Sequence, residues 1–84
     1  NMIYKVFEDE SFDEEALKLA ENLATMPTRG LGLTKKAVNL GLFNSLEDQL
    51  DLEESLQTDA GETDDFTEGV NAFIQKRPAI FKGR

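Results

Sequence analysis

Apolar residues recur with a helical period over most of the chain, and the pattern is strongest near its end. Phe66, Val70, Phe73 and Ile74, with Arg77 after them, fall at i, i+4, i+7, i+8 and i+11. That spacing puts one bulky apolar stripe on one face of a helix. Gly69 lies beside the stripe, where it costs about 1 kcal/mol of helix propensity against Ala. Such a glycine is tolerable where another backbone or a ligand comes close. Pro78 is expected to end this helix by pushing Arg77 towards an extended conformation. Three further helices are predicted ahead of it. Ser11-Phe12-Asp13-Glu14 matches the S-x-x-E capping box, and a helix from about Asp13 to Met26 is expected to bury Ala16, Leu17, Ala20, Leu23 and Ala24. Its opening acids suit the positive end of the helix dipole. Thr28 to Leu42 reads as a second helix with Leu33, Ala37, Val38 and Leu40 on its apolar side, loosened at the start by Gly30 and Gly32 and ended by Gly41 and Asn44. Ser45 is the expected N-cap of a third, whose Leu46, Leu50, Leu52 and Leu56 form a broad apolar arc. Ala60-Gly61-Glu62 reads as the next turn, with Thr63 or Asp64 capping the fourth helix.

Only the opening departs from this period. Ile3-Tyr4-Lys5-Val6-Phe7 is β-branched and aromatic with partial alternation, which reads as one short strand. A lone strand cannot satisfy its own backbone, so its mate is expected outside the chain. The expected fold class is therefore all-α: about four helices after one short N-terminal strand, with residues 1–84 forming one unit.

Composition narrows the partners. The 84 residues hold one domain at most, with a modest core that benefits from a partner surface. A net charge of −8 argues against a general nucleic-acid binder, which needs basic clusters. Four of the nine basic residues, Lys76, Arg77, Lys82 and Arg84, lie in the last nine positions with Phe81 among them. So small a patch suits a single phosphorylated ligand better than a polymer. No apolar run approaches the roughly 20 residues of a membrane span, and no signal-peptide pattern opens the chain. The expectation is a soluble, cytoplasmic helical segment without nucleic-acid or membrane partners. Its apolar helix faces predict self-association into a dimer or trimer.

Catalytic candidates are few. The 84 residues contain neither cysteine nor histidine, which removes thiolate chemistry, Cys-ligated metals and the commonest general base. The acids lack the calcium-loop pattern, Gly30-Leu31-Gly32 falls short of a phosphate loop, and the serines have no histidine to activate them. No catalytic residue, metal site or cofactor of its own is expected. Glu53 projects into the leucine arc of the third helix, either as a structural charge paired with Arg29 or Lys35 or as a functional group. Phe73 and Lys76 stand at i and i+3, so a ring and an ammonium can stack on a flat base and neutralise a phosphate. Spacing alone favours the plainer reading, a core phenylalanine followed by a cation at the helix C-terminus.

The runs Glu68-Gly69-Val70-Asn71-Ala72-Phe73, Lys76-Arg77-Pro78 and Phe81-Lys82-Gly83-Arg84 resemble the C-terminal end of the crotonase superfamily, the enoyl-CoA hydratases and isomerases. Leu33-Thr34-Lys35, Ser45-Leu46, Leu50 and Glu53 match in the same order, and Met2 to Val6 looks like the family's last core strand. MPTRGLGLTK, QLDLE and DFTEGVNAFIQKR look most like the phenylacetate-degradation branch, which isomerises the ring-epoxide of phenylacetyl-CoA to an oxepin. The resemblance implies a much longer parent, whose catalytic spiral domain with its oxyanion-hole amides and catalytic carboxylates lies upstream. This chain would be the helical segment that packs parent trimers together. The resemblance further implies that Phe73 and Lys76 meet the adenine and 3′-phosphate of coenzyme A, which enters as part of the acyl-CoA substrate. Some members carry a further aromatic on the preceding helix, where this chain has Gln57. Two other readings compete. Asn44-Ser45-Leu46 is similar to the D-S-L attachment site of acyl carriers, with Ser45 bearing a phosphopantetheine arm, although Asn replaces the acid. A helical oligomerisation module without a ligand is the third.

Overall fold

The computed structural model describes residues 2–84; Asn1, the first residue of the expected unit, lies outside them. A 3-10 turn at Asp9–Ser11 leads into four helices: α1 (Phe12–Ala24), α2 (Thr28–Gly41), α3 (Leu46–Gly61) and α4 (Asp64–Gln75). The all-α expectation holds. The N-terminal strand does not form among the described residues, because residues 2–8 meet no second strand to exchange backbone hydrogen bonds with. Their side chains at Met2, Ile3, Tyr4 and Val6 remain exposed.

The caps explain two of the helix starts. Ser45 and Thr63 have extended backbones, and their hydroxyl oxygens accept from the N–H of Asp48 (3.2 Å) and Phe66 (3.1 Å), three residues on. The expected capping box at Ser11 is absent. The 3-10 turn places Ser11 at φ −107°, ψ −2°, and its hydroxyl turns back to donate to the Glu8 carbonyl at 3.3 Å. α3 also continues through Ala60 and Gly61, so the turn before α4 shrinks to Glu62 and Thr63.

α2 packs along α3, α3 touches α4 more sparingly, and α1 lies chiefly against the 3-10 turn that precedes it. Leu33, Leu56 and Ala72 are the buried apolar residues. Leu17 and Leu23 of α1, expected inside, are exposed, as are Val38, Leu46, Leu50, Phe66, Val70, Phe73 and Ile74. The molecule is flat, 45 × 39 × 18 Å, with a radius of gyration of 16.0 Å, where a compact chain of this length would have about 12 Å. Its accessible surface of 7202 Å² exceeds by about 2200 Å² the roughly 5000 Å² of a compact 9.4 kDa monomer. The periodic apolar stripes are thus formed as predicted, but among the described residues most of their bulky side chains remain uncovered.

Candidate functional site

The best-organised region is α4 with the tail that follows it. α4 ends at Gln75 because Lys76 adopts the left-handed conformation (φ 53°, ψ 44°). The Lys76 N–H then donates to the Phe73 carbonyl (3.2 Å) and the Arg77 N–H to the Ala72 carbonyl (3.0 Å), the two bonds of a Schellman motif. Glycine ordinarily fills this position. A lysine there costs about 1–2 kcal/mol and persists only where its surroundings over-determine the backbone. Pro78 lies past this end rather than making it.

Beyond Lys76 the tail runs back along α4 and is pinned to two acids. The Arg77 guanidinium meets Glu68 with both terminal nitrogens, at 2.5 and 3.1 Å, and the Ile80 N–H reaches the same carboxylate at 3.2 Å. The Arg77 hydrogen bond first, and the Ile80 amide second, hold the Glu68 carboxyl below its ordinary value; Glu68 in turn raises the guanidinium. One turn earlier, buried Asp65 accepts from the N–H groups of Lys82 and Gly83, both at 2.7 Å, while its own N–H donates to the Arg84 carbonyl at 2.8 Å. Phe81 lies over Gly69, its ring 3.6 Å from where a glycine β-carbon would stand. The close approach expected at Gly69 is therefore made by the chain's own tail.

This arrangement defines the two faces of α4. Its buried face carries Asp65 and Ala72, with Glu68 and Gly69 under the tail, while the bulky stripe of Phe66, Val70, Phe73 and Ile74 faces outward. It also divides the basic patch. Arg77 is committed to Glu68, and Arg84 lies 3.9 Å from Asp64. Lys76 and Lys82 form no ion pair among the described residues. Phe73 is 85% exposed, and Lys76, also exposed, follows it by three residues. Phe66, Val70, Phe73 and Phe81 border an open apolar groove of about 450 Å³ that Pro27 and Ala60 also line.

A second groove, about 410 Å³, runs between α2 and α3 past Leu33, Val38, Glu53, Leu56 and Gln57. Gln57 borders this groove and not the one at Phe73. Glu53 is exposed and accepts from Gln49 Nε2 at 3.0 Å, with no ion pair to Arg29 or Lys35; water and a neutral amide meet its charge, so it needs no cation. Gln49 is the polar link that sequence reasoning missed. It also donates to the Ala37 carbonyl at 3.1 Å and accepts from Asn44 Nδ2 at 3.1 Å, fastening α3 to the end of α2. Ser45, the carrier candidate, spends its oxygen on capping α3.

Comparison with known proteins gives a consistent result. The family described as enoyl-CoA hydratase/isomerase matches residues 2–84. Over 83 residues the chain is 48% identical to the 1,2-epoxyphenylacetyl-CoA isomerase of Escherichia coli and 41% identical to a probable enoyl-CoA hydratase of Rhodobacter capsulatus. Each match covers 99% of this chain and 32% of the relative, so the chain spans about a third of the length of these relatives. Its fold superposes on an enoyl-CoA hydratase of Geobacillus kaustophilus at a TM-score of 0.91 and 28% identity, covering 98% of this chain and 31% of that one. A putative enoyl-CoA hydratase of Streptomyces coelicolor gives the same TM-score at 32% identity, covering 98% of this chain and 30% of that one. These matches do not favour the acyl-carrier reading of Ser45.

Proposed function

Because the chain belongs to the enoyl-CoA hydratase/isomerase family, we propose that it is the C-terminal helical segment of a longer acyl-CoA hydratase or isomerase. In that setting it packs subunits into a trimer and receives the adenosine end of coenzyme A. The 48% identity to an epoxyphenylacetyl-CoA isomerase favours the ring-epoxide of phenylacetyl-CoA as the whole protein's substrate, in phenylacetate degradation and in the cytoplasm. Enoyl-CoA hydration is the second reading, supported by the hydratase among its relatives. The chemical step, stabilisation of a thioester enolate by paired backbone N–H groups, belongs to residues outside this chain.

One observation carries the proposal. Phe73 and Lys76 occupy the same end of α4, both exposed, with the ammonium unpaired among the described residues. A ring of this kind takes the face of an adenine, and the ammonium three residues on takes a ribose phosphate. Trimer packing draws its support from the large unburied apolar surface, of a kind that marks interaction sites.

The test uses coenzyme A and its 3′-dephospho analogue, titrated by calorimetry into the complete assembled protein. A charge-assisted hydrogen bond contributes roughly 1.5–3 kcal/mol, and the exposure of Lys76 places it at the lower end. The intact protein should therefore prefer coenzyme A by about tenfold, and Lys76→Ala should abolish the preference. A preference that survives Lys76→Ala would overturn the assignment.

A further inference from the structure

Lys76 is held in a conformation that lysine avoids, between two fixed points. On one side α4 ends in the Schellman bonds of Lys76 and Arg77 to Phe73 and Ala72. On the other, Arg77 is gripped two-pronged by Glu68, two helical turns back, and the same carboxylate takes the Ile80 N–H. The Arg77 guanidinium adds a bond to the Pro78 carbonyl at 3.1 Å, so the turn from Lys76 to Ile80 is tied down at both ends. A non-glycine residue stays left-handed only while such restraints act together.

We infer that Glu68 and Arg77 are positioning residues for phosphate recognition: their pairing fixes the left-handed turn at Lys76 and so aims its ammonium at the 3′-phosphate of coenzyme A. This rests on the reading that Lys76 meets that phosphate. Glu68 also keeps Arg77 occupied, which leaves Lys76 as the cation of this turn that can turn to a ligand. The neighbouring charges are then sorted into one structural pair and one binding group.

Electrostatics alone predicts the opposite outcome, which makes the test sharp. Glu68→Gln removes a negative charge from α4 and frees the Arg77 guanidinium, next in the chain to Lys76, so charge alone would strengthen the preference for the 3′-phosphate. Positioning predicts that it weakens. In the complete assembled protein, the ratio of dissociation constants for 3′-dephospho-CoA and coenzyme A is the readout, because general loosening of the site moves both constants together. Glu68→Gln should bring a ratio of about ten down to about two. Arg77→Lys, which keeps the charge but loses the two-pronged geometry, should lower it as well. A ratio that stays or rises in Glu68→Gln while Lys76→Ala still abolishes it overturns the positioning role and leaves Lys76 in place. A ratio untouched by Lys76→Ala overturns the underlying assignment instead.

Discussion

Removing the carboxylate of Asp65 should release the tail from α4 without unfolding the helix. Asp65 accepts two backbone N–H groups, from Lys82 and Gly83, at 2.7 Å each. Hydrogen bonds to a charged acceptor contribute about 1.5–3 kcal/mol apiece, and an alanine would leave both donors unpaired in a site where the residue is 3% exposed. The tail escapes the full penalty by lifting into water, so the loss is capped by the free energy that docks it. What remains holding it is the Arg84 carbonyl on the Asp65 N–H, the Glu68 clasp and the ring of Phe81 on Gly69. We expect Asp65→Ala to lower the opening free energy of residues 82–84 by about 3–4 kcal/mol. Amide hydrogen exchange at Lys82 and Gly83 should then accelerate by roughly a hundred- to a thousandfold. The amides of α4 beyond its first turn bond within the helix and should keep their protection. Unchanged exchange at Lys82 and Gly83 would refute the reasoning, and so would a loss of α4 protection of the same size.

Other outcomes follow from the same geometry. Gly83→Ala should destabilise the tail, because Gly83 has φ +78° and an added methyl would stand 2.5 Å from Thr28 Oγ1; a melting temperature no lower than that of the unsubstituted protein would contradict this. Gly69→Ala should instead gain about 1 kcal/mol of helix propensity, since Phe81 leaves ordinary van der Waals room there, and a fall in melting temperature would show that the site is tighter. The Glu68 carboxyl is held below its ordinary value of 4.5 by Arg77 and the Ile80 amide. Its contribution to tail docking is therefore fully present above about pH 4.5 and lost as the pH falls through the lower folded value. The Ile80 amide resonance should titrate with a midpoint below 4.5, and a midpoint at or above it would remove the clasp from the account.

The parts legible in the sequence are those set by local rules. Helical spacing located all four helices within a few residues, and Ser45 and Thr63 were readable as caps because a side chain three residues from its N–H partner acts within one turn. Ser11 carried the same signature and failed, since it ends a 3-10 turn that points its hydroxyl back to the Glu8 carbonyl. The strand at residues 3–7 failed for a different reason: strand propensity is realised only against a mate, and no described residue supplies one. On α4 the period was right, and what had no sequence signal is that the opposite face is covered. Which face a helix buries depends on what covers it, and the cover here is a tail returning from positions as far along the chain as Gly83 and Arg84. Asp65 was hidden because an acid in a first helical turn is ordinarily a dipole partner. Phe73 and Lys76 were nominated by spacing and resemblance; the left-handed turn that carries Lys76 had no sequence signal, since glycine is the residue that marks such turns.

What occupies the end of α4 when the whole protein holds its ligand is the central question. A crystal structure of the assembled protein with coenzyme A bound tests this most directly. We predict the adenine against the exposed ring of Phe73 and the Lys76 ammonium within hydrogen-bonding distance of the 3′-phosphate. An adenosine moiety bound elsewhere, with Phe73 packed wholly against protein, would contradict it.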